Sequence, residues 1–177
     1  TTGKTLCVNF NYTDTFPKLY KPSKINLINI HGSIKQKQNP IIFGYAATED
    51  ENKVLLNKGN NEYLKNIKTY HYNRNPIERV LNEYLNSGEK LNVYIIGHSC
   101  GAPDTNILHK IFSHKNIRKI EIFYHNCYDN YFDNLVNVRR ILMGKNNFEK
   151  LTDFTTSYRC PQHYDKPNGS EEIKFKQ

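Results

Sequence analysis

No apolar run in these 177 residues approaches the roughly 20 residues that a membrane-crossing helix needs; the longest, at 93–97 and 27–30, are far shorter. No basic stretch followed by an apolar one opens the chain, so nothing points to export, and Thr1-Thr2-Gly3 reads as a cut point rather than a native beginning. The four cysteines, Cys7, Cys100, Cys127 and Cys160, nowhere form a C-x-x-C pair. Three of them sit in or beside apolar, strand-like segments, so they read as buried free thiols of a reducing, cytoplasmic compartment. A zinc site would need Cys160 and His163 to meet His125 and Cys127; without a second C-x-x-C that spacing is weak, and no metal is expected. No recognisable nucleic-acid-binding module is present, so nucleic acid is a partner that charge allows and no motif supports.

What the chain has in excess is positive charge: 25 Lys and Arg against 17 Asp and Glu, a net +8. That balance favours an anionic partner, a nucleotide or a phosphorylated small molecule among them. The basic residues at 18–37, 53–68 and 110–119 are interleaved with Asn and Asp, which is also how a solvated surface is decorated. The length suits one ordinary core. Residues 1–160 read as a single domain, and residues 161–177, with Pro161, Pro167, Gly169 and several Lys, carry no pattern and read as a disordered tail.

Along the chain, residues 5–10 form a short β-rich apolar run, followed by a polar break and a helix from about Asp14 that tolerates Pro17 in its first turn. Residues 25–30 read as a second buried strand and 40–44 as a third; 46–58 is polar and reads as loop. Ile77, Val80, Leu81, Tyr84 and Leu85 make an apolar stripe at helical spacing. A strand at 91–96, a helix opened by Pro103-Asp104 with Ile107, Leu108, Ile111 and Phe112 on one face, a strand at 117–124 and a long helix marked by Phe132, Leu135, Val138 and Leu142 complete the order. Apolar strands alternating with helices predict one parallel sheet covered on both faces, a Rossmann-like three-layer α/β domain. In such sheets ligands bind beyond the carboxyl ends of the strands. Three polar breaks fall there: Asn11-Tyr12-Thr13, His31-Gly32-Ser33 and Gly97-His98-Ser99.

The blocks Asn9-Phe-Asn-Tyr-Thr13, Ile28-Asn-Ile-His-Gly32, Ile41-Ile-Phe-Gly44 and Tyr94-Ile-Ile-Gly-His-Ser99, followed by Asp104, resemble those of the AbiH family of bacteriophage abortive-infection proteins, over most of residues 5–145. More distantly they resemble sirtuins and the sirtuin-like NAD hydrolases of phage defence. The resemblance implies a phage-defence effector, set off by an unknown phage trigger, that binds or hydrolyses NAD. It gives Asn11 the handling of the nicotinamide ribose or its attacking water and His31 the part of general base. Gly32, Gly97, Ser99 and Asn126 fall at cofactor-binding positions. Those residue types suit glycosidic cleavage: an amide oxygen steers water toward a carbon gaining positive charge, and an imidazole accepts the proton. A Gly-x-Ser turn lets backbone amides approach phosphate. The acidic residue of the sirtuin block is Thr13 here, with Asp14 one position late. The zinc ribbon of the deacetylases is missing, as is the N-terminal βαβ half with its Gly-rich turn, so the chain reads as the C-terminal half of such a domain.

Each residue also has a plainer role open to it: Asn11 as a turn residue, His31 as a satisfied core histidine, Asp104 as a helix cap. Two alternative functions stand beside the first. Gly97-His-Ser-Cys-Gly101 satisfies the G-x-S-x-G nucleophile elbow of α/β-hydrolases, with Ser99 as nucleophile, Asp129 or Asp133 as acid and His163 as base. A non-catalytic sensor of a nucleotide or phage component needs only the fold and the basic surface.

Overall fold

The computed structural model describes residues 4–20, 25–74, 76–125, 127–142, 148–151, 154 and 157–160. β1 (Thr5–Asn9) pairs in parallel with β2 (Ile25–Asn29), Thr5 opposite Ile25 and Asn9 opposite Asn29. Between them runs the short α1 (Thr15–Tyr20). β3 (Leu91–Ile96), β4 (Ile117–Tyr124) and β5 (Tyr158–Arg159) make a second parallel sheet in the order β3-β4-β5. The helices are α2 (Glu49–Asn57), α3 (Ile77–Leu85), α4 (Thr105–Phe112) and α5 (Tyr128–Ile141), with 3₁₀ turns that include Asn61–Leu64 and Lys68–Arg74.

The parallel α/β character and the order of strands and helices follow the sequence pattern. The expectation of one continuous sheet does not hold: among the described residues, two sheets share a core without hydrogen bonding to each other. That core takes Ile28 of β2 and Ile30 just after it, and Ile95, Ile120 and Ile122 from the second sheet. Helices add Leu81 and Leu85 of α3, Ile107, Leu108, Ile111 and Phe112 of α4, and Val138 and Ile141 of α5. Each such aliphatic or aromatic side chain contributes about 1.5–3 kcal/mol by leaving water.

α4 and α5 both pack on β4 and touch each other, so they lie on one side of the second sheet. On its other side Tyr94 is 41% and Ile96 47% exposed, with Asn92 open beside them. Lys119 and Glu121 pair at 2.8 Å, and the Tyr94 and Phe123 rings meet edge to face at 6.1 Å, on that same face by strand alternation. A layer on each side had been expected; among the described residues this side is open along β3, while Glu121 of β4 is buried on it at 3% exposure.

Four further expectations change. Residues 40–44 are not a strand: Ile42 N–H returns to the His31 carbonyl at 2.8 Å, and pairing is confined to a single bridge, Tyr45 with Ile67. Residues 46–58 are not loop but carry α2. Its first turn is set by a capping box in which Glu51 N–H donates to Thr48 Oγ1 (3.2 Å) and Thr48 N–H to Glu51 Oε2 (2.8 Å). No residue of α2 is buried, which is why no apolar stripe announced it. Only Cys100 is a buried thiol; Cys7 and Cys160 are half-buried and Cys127 is exposed. Phe132, counted with the buried face of α5, is 48% exposed, while Val138 and Leu142 are buried. Residues 161–177 lie outside the described residues.

Candidate functional site

Three strand exits converge, each built by a different local device. At the end of β1, the buried Asn9 side chain clamps the turn that follows. Its Oδ1 accepts the Asn11 N–H (3.1 Å), while its Nδ2 donates to the Asn11 carbonyl (3.3 Å) and to Asn29 Oδ1 of the neighbouring strand (2.8 Å). This presents the rings of Phe10 and Tyr12. At the end of β2 the chain turns at Gly32, φ +82°, packed so closely that an added Cβ would lie 2.1 Å from the Pro40 carbonyl oxygen. Only a glycine allows that approach; His31, next to it in the chain, is 4% exposed. At the end of β3 the backbone is left-handed at Gly97 (φ 64°) and again at Cys100 (φ 53°). Between them His98 Nδ1 accepts the Cys100 N–H at 3.0 Å. The chain then passes through the 3₁₀ turn Ala102–Asp104 into α4.

A fourth segment reaches the same place. At Gly44, φ +137°, an added Cβ would lie 2.1 Å from the Asn66 carbonyl oxygen. That approach permits the Tyr45 N–H to Asn66 O bond (3.0 Å) and the Lys68 N–H to Tyr45 O bond (3.0 Å), and so fixes the start of the 3₁₀ turn Lys68–Arg74.

The side chains delivered by these segments meet on one carboxylate. Asp104 Oδ1 lies 2.9 Å from His31 Nε2 and 3.0 Å from Lys68 Nζ, and Oδ2 lies 3.3 Å from His98 Nε2. Lys68 Nζ and His31 Nε2 are 3.4 Å apart. All four side chains are largely removed from water, His98 being the most open at 19%. Aromatic rings enclose the cluster: Phe10 is edge-on to His31 (5.4 Å between centroids) and tilted against His98 (4.2 Å), Tyr12 leans on His31 at 6.0 Å, and Tyr72 lies parallel to it at 6.5 Å.

The electrostatics follow from this geometry. Burial opposes ionisation of Asp104, but hydrogen bonds from His31, His98 and Lys68 outweigh it and hold the carboxyl well below the usual carboxylate range. An ionised carboxylate only accepts, so both imidazole Nε2 atoms carry hydrogen. His98 is then neutral with its Nδ1 lone pair engaged by Cys100. In its neutral form His31 likewise has an unprotonated Nδ1, and among the described residues no hydrogen-bond partner takes it up. Burial raises the Tyr72 hydroxyl, reinforced by the Asp104 charge, so it stays protonated at neutral pH. Burial likewise pushes the Cys100 thiol up to about 12, leaving it inert beside the cluster.

Of the residues singled out in the sequence, His31 is at the centre. Asn11 is exposed on the β1 exit turn, held through its backbone, and it is Asn9 whose amide is buried. Gly32 is filled against Pro40, whereas Gly97 has open space where a Cβ would be. Ser99 is exposed, and its carbonyl accepts the Asn137 Nδ2–H of α5 at 2.9 Å. Asn126 lies outside the described residues. In the Gly97–Gly101 segment the left-handed backbone falls on Gly97 and Cys100 rather than on Ser99, and the adjacent His98 has both ring nitrogens engaged. Asp129 and Asp133 are exposed on α5, and His163 lies outside the described residues. Among the described residues no group of three or more His, Cys, Asp or Glu side chains is arranged to hold a metal ion, and no helix is long and apolar enough to cross a membrane.

Asp104 had a helix cap as its plainer role, yet it makes no side-chain capping bond. In the sequence Lys68 is one basic residue among 25, and His98 is the middle residue of the Gly97-x-Ser99 turn. The available signal was placement: a third polar residue after a third apolar strand.

The family model described as bacteriophage abortive infection AbiH matches residues 1–126, a span that holds every member of this cluster. No curated protein and no solved structure matches the chain.

Proposed function

The chain belongs to the bacteriophage abortive infection AbiH family, and on that premise we propose that it acts in phage defence by hydrolysing the nicotinamide–ribose bond of NAD or a closely related nucleotide. The observation that carries this reading is the His31–Asp104 pair at 2.9 Å: it turns Nε2–H to the carboxylate, so that Nδ1 of the neutral ring, without a hydrogen-bond partner among the described residues, is the atom that acts as base.

The chemistry is that of general base catalysis. A water bound at His31 Nδ1 gives up its proton to the imidazole as its oxygen bonds to the ribose C1′. The C1′–N bond breaks, and its electron pair leaves with nicotinamide, which departs neutral. Asp104 holds the ring in the Nε2–H form and balances the imidazolium that forms, the orienting role of a carboxylate behind a catalytic histidine. Gly97, with nothing above its Cα, lets the β3 exit loop approach the anionic pyrophosphate through backbone amides, Ser99 beside it. Asn11, exposed on the turn after β1, is the amide assigned to steer the water. In this reading the two parallel sheets are parts of a Rossmann-like, sirtuin-like arrangement, whose ligands lie outside the carboxyl ends.

The test is nicotinamide release from NAD by the purified full chain, followed by liquid chromatography. Loss of a positioned general base costs about 10²–10⁴ in rate, so His31→Ala nearly abolishes release while the circular dichroism spectrum is unchanged. A His31→Ala protein that releases nicotinamide at the parent rate would remove His31 from the reaction. No release or binding by the wild-type chain under any activating condition would remove NAD.

A further inference from the structure

We propose that Lys68 is a positioning residue for His31: its buried ammonium balances Asp104 and keeps both histidines on that carboxylate neutral, so that His31 retains a free Nδ1. The inference rests on the reading of His31 as general base, and its first test does not require activity.

The argument begins with what faces the carboxylate. Asp104 is approached by His31 from the end of β2, His98 from the end of β3 and Lys68 from the 3₁₀ turn Lys68–Arg74. Tyr12 and Tyr72 are the other titratable groups whose rings lie against the cluster. Only Lys68 brings a permanent positive charge. Its side chain is 8% exposed, and the ammonium is 3.0 Å from the Oδ1 that also receives His31. A buried carboxylate requires a compensating charge. With Lys68 present, that charge is supplied and both imidazoles remain neutral donors. With Lys68 removed, the remaining source is a proton drawn onto His31 or His98, and an imidazolium has no lone pair with which to accept a proton from water. Lys68 touches neither water nor substrate in this scheme; it acts through Asp104.

The placement of Lys68 is specified by backbone rather than by its own side chain. The Lys68 N–H to Tyr45 O bond and the close approach of Gly44 to Asn66 O bring the segment in, without regard to what the side chain carries. A neutral residue at 68 keeps these backbone bonds and changes the charge.

Nitrogen-15 NMR of the imidazoles in the full chain provides the test, with His31 and His98 assigned through His31→Gln and His98→Gln. At pH 7 the wild-type chain shows both rings as the neutral Nε2–H tautomer. Lys68→Met shows one of them as imidazolium at the same pH. Lys68→Gln, which keeps a neutral donor in place, gives the same result and serves if the Met variant does not hold its fold by circular dichroism; Lys68→Arg, which keeps the charge, restores the neutral rings. If NAD hydrolysis is found, Lys68→Met lowers kcat/KM at pH 7 by about tenfold or more and moves the acid limb of its pH profile upward, a shift of the size one close charge produces, with KM little changed. Neutral rings in Lys68→Met and Lys68→Gln alike overturn the proposal, whatever the activity. Neutral wild-type rings with no nucleotide cleavage leave Lys68 in this role and remove only the NAD reaction.

Discussion

Replacing Asp104 with Asn keeps the shape of the side chain and removes the charge on which three donors converge. The amide offers one acceptor where the carboxylate offered two, and its NH₂ group faces either His98 or the His31–Lys68 pair, all of which also donate. Lys68, 8% exposed, then has no counter-charge. Breaking one side of a buried ion pair costs about 3–5 kcal/mol; hydrogen bonds to a charged group, about 1.5–3 kcal/mol each, are not additive with it because they describe the same contacts. The expected loss is therefore about 3–5 kcal/mol, read from urea midpoints with the slope held common. The pH dependence gives a second check. The folded carboxyl lies below its unfolded value near 4 because the three donors prefer it ionised. Its contribution is thus fully present above that pH and lost as pH falls below it toward the folded value. The gap between wild type and Asp104→Asn should narrow steadily on acidification from about pH 5. A loss under about 1 kcal/mol, or a gap that widens in acid, would refute the view of Asp104 as an ionised hub.

Three further predictions rest on independent features. Gly32→Ala combines a left-handed backbone with a clash on the Pro40 carbonyl and should cost about 2–4 kcal/mol; Gly88→Ala, φ +86° with nothing within 4 Å, should cost only about 1 kcal/mol, both read from thermal or urea midpoints. Cys100→Gly, which suits φ 53°, should be about 1 kcal/mol more stable than Cys100→Ala. Mass spectrometry of the chain treated briefly with iodoacetamide at pH 8 should find Cys127 modified first, its thiol lowered by hydrogen bonds from Asn130. Cys7 and Cys100, raised by burial to about 11 and about 12, should be modified last. Equal rates at the three sites would contradict the burial assigned to them.

The strand order and the stripes of α3 and α4 were legible because apolar periodicity records burial directly. Ile77, Leu81 and Leu85 are buried where their spacing places them, as are Ile107, Leu108, Ile111 and Phe112. His31 was legible because a polar residue after an apolar strand must sit at a sheet end. α2 was not, since it buries nothing and depends on a local Thr48–Glu51 device. The division into two sheets and the open face around Tyr94 and Ile96 were invisible, because apolar strand residues look alike whether covered or exposed. Lys68 could not be singled out among 25 basic residues: its burial is imposed by Gly44 and Asn66, more than 20 residues apart in sequence. Asp104 stood at a helix start, where capping and bridging use the same residue type.

The most direct test of the central claim follows NAD through phage infection in cells carrying wild-type, His31→Ala or Asn11→Ala full-length protein, with phage yield measured in the same cultures. The account predicts that NAD falls and phage yield drops with the wild-type protein, and that His31→Ala loses both effects while its protein level is unchanged. Asn11→Ala should follow if its amide steers the water. Protection that persists with His31→Ala, or wild-type protection with NAD unchanged throughout, would contradict it.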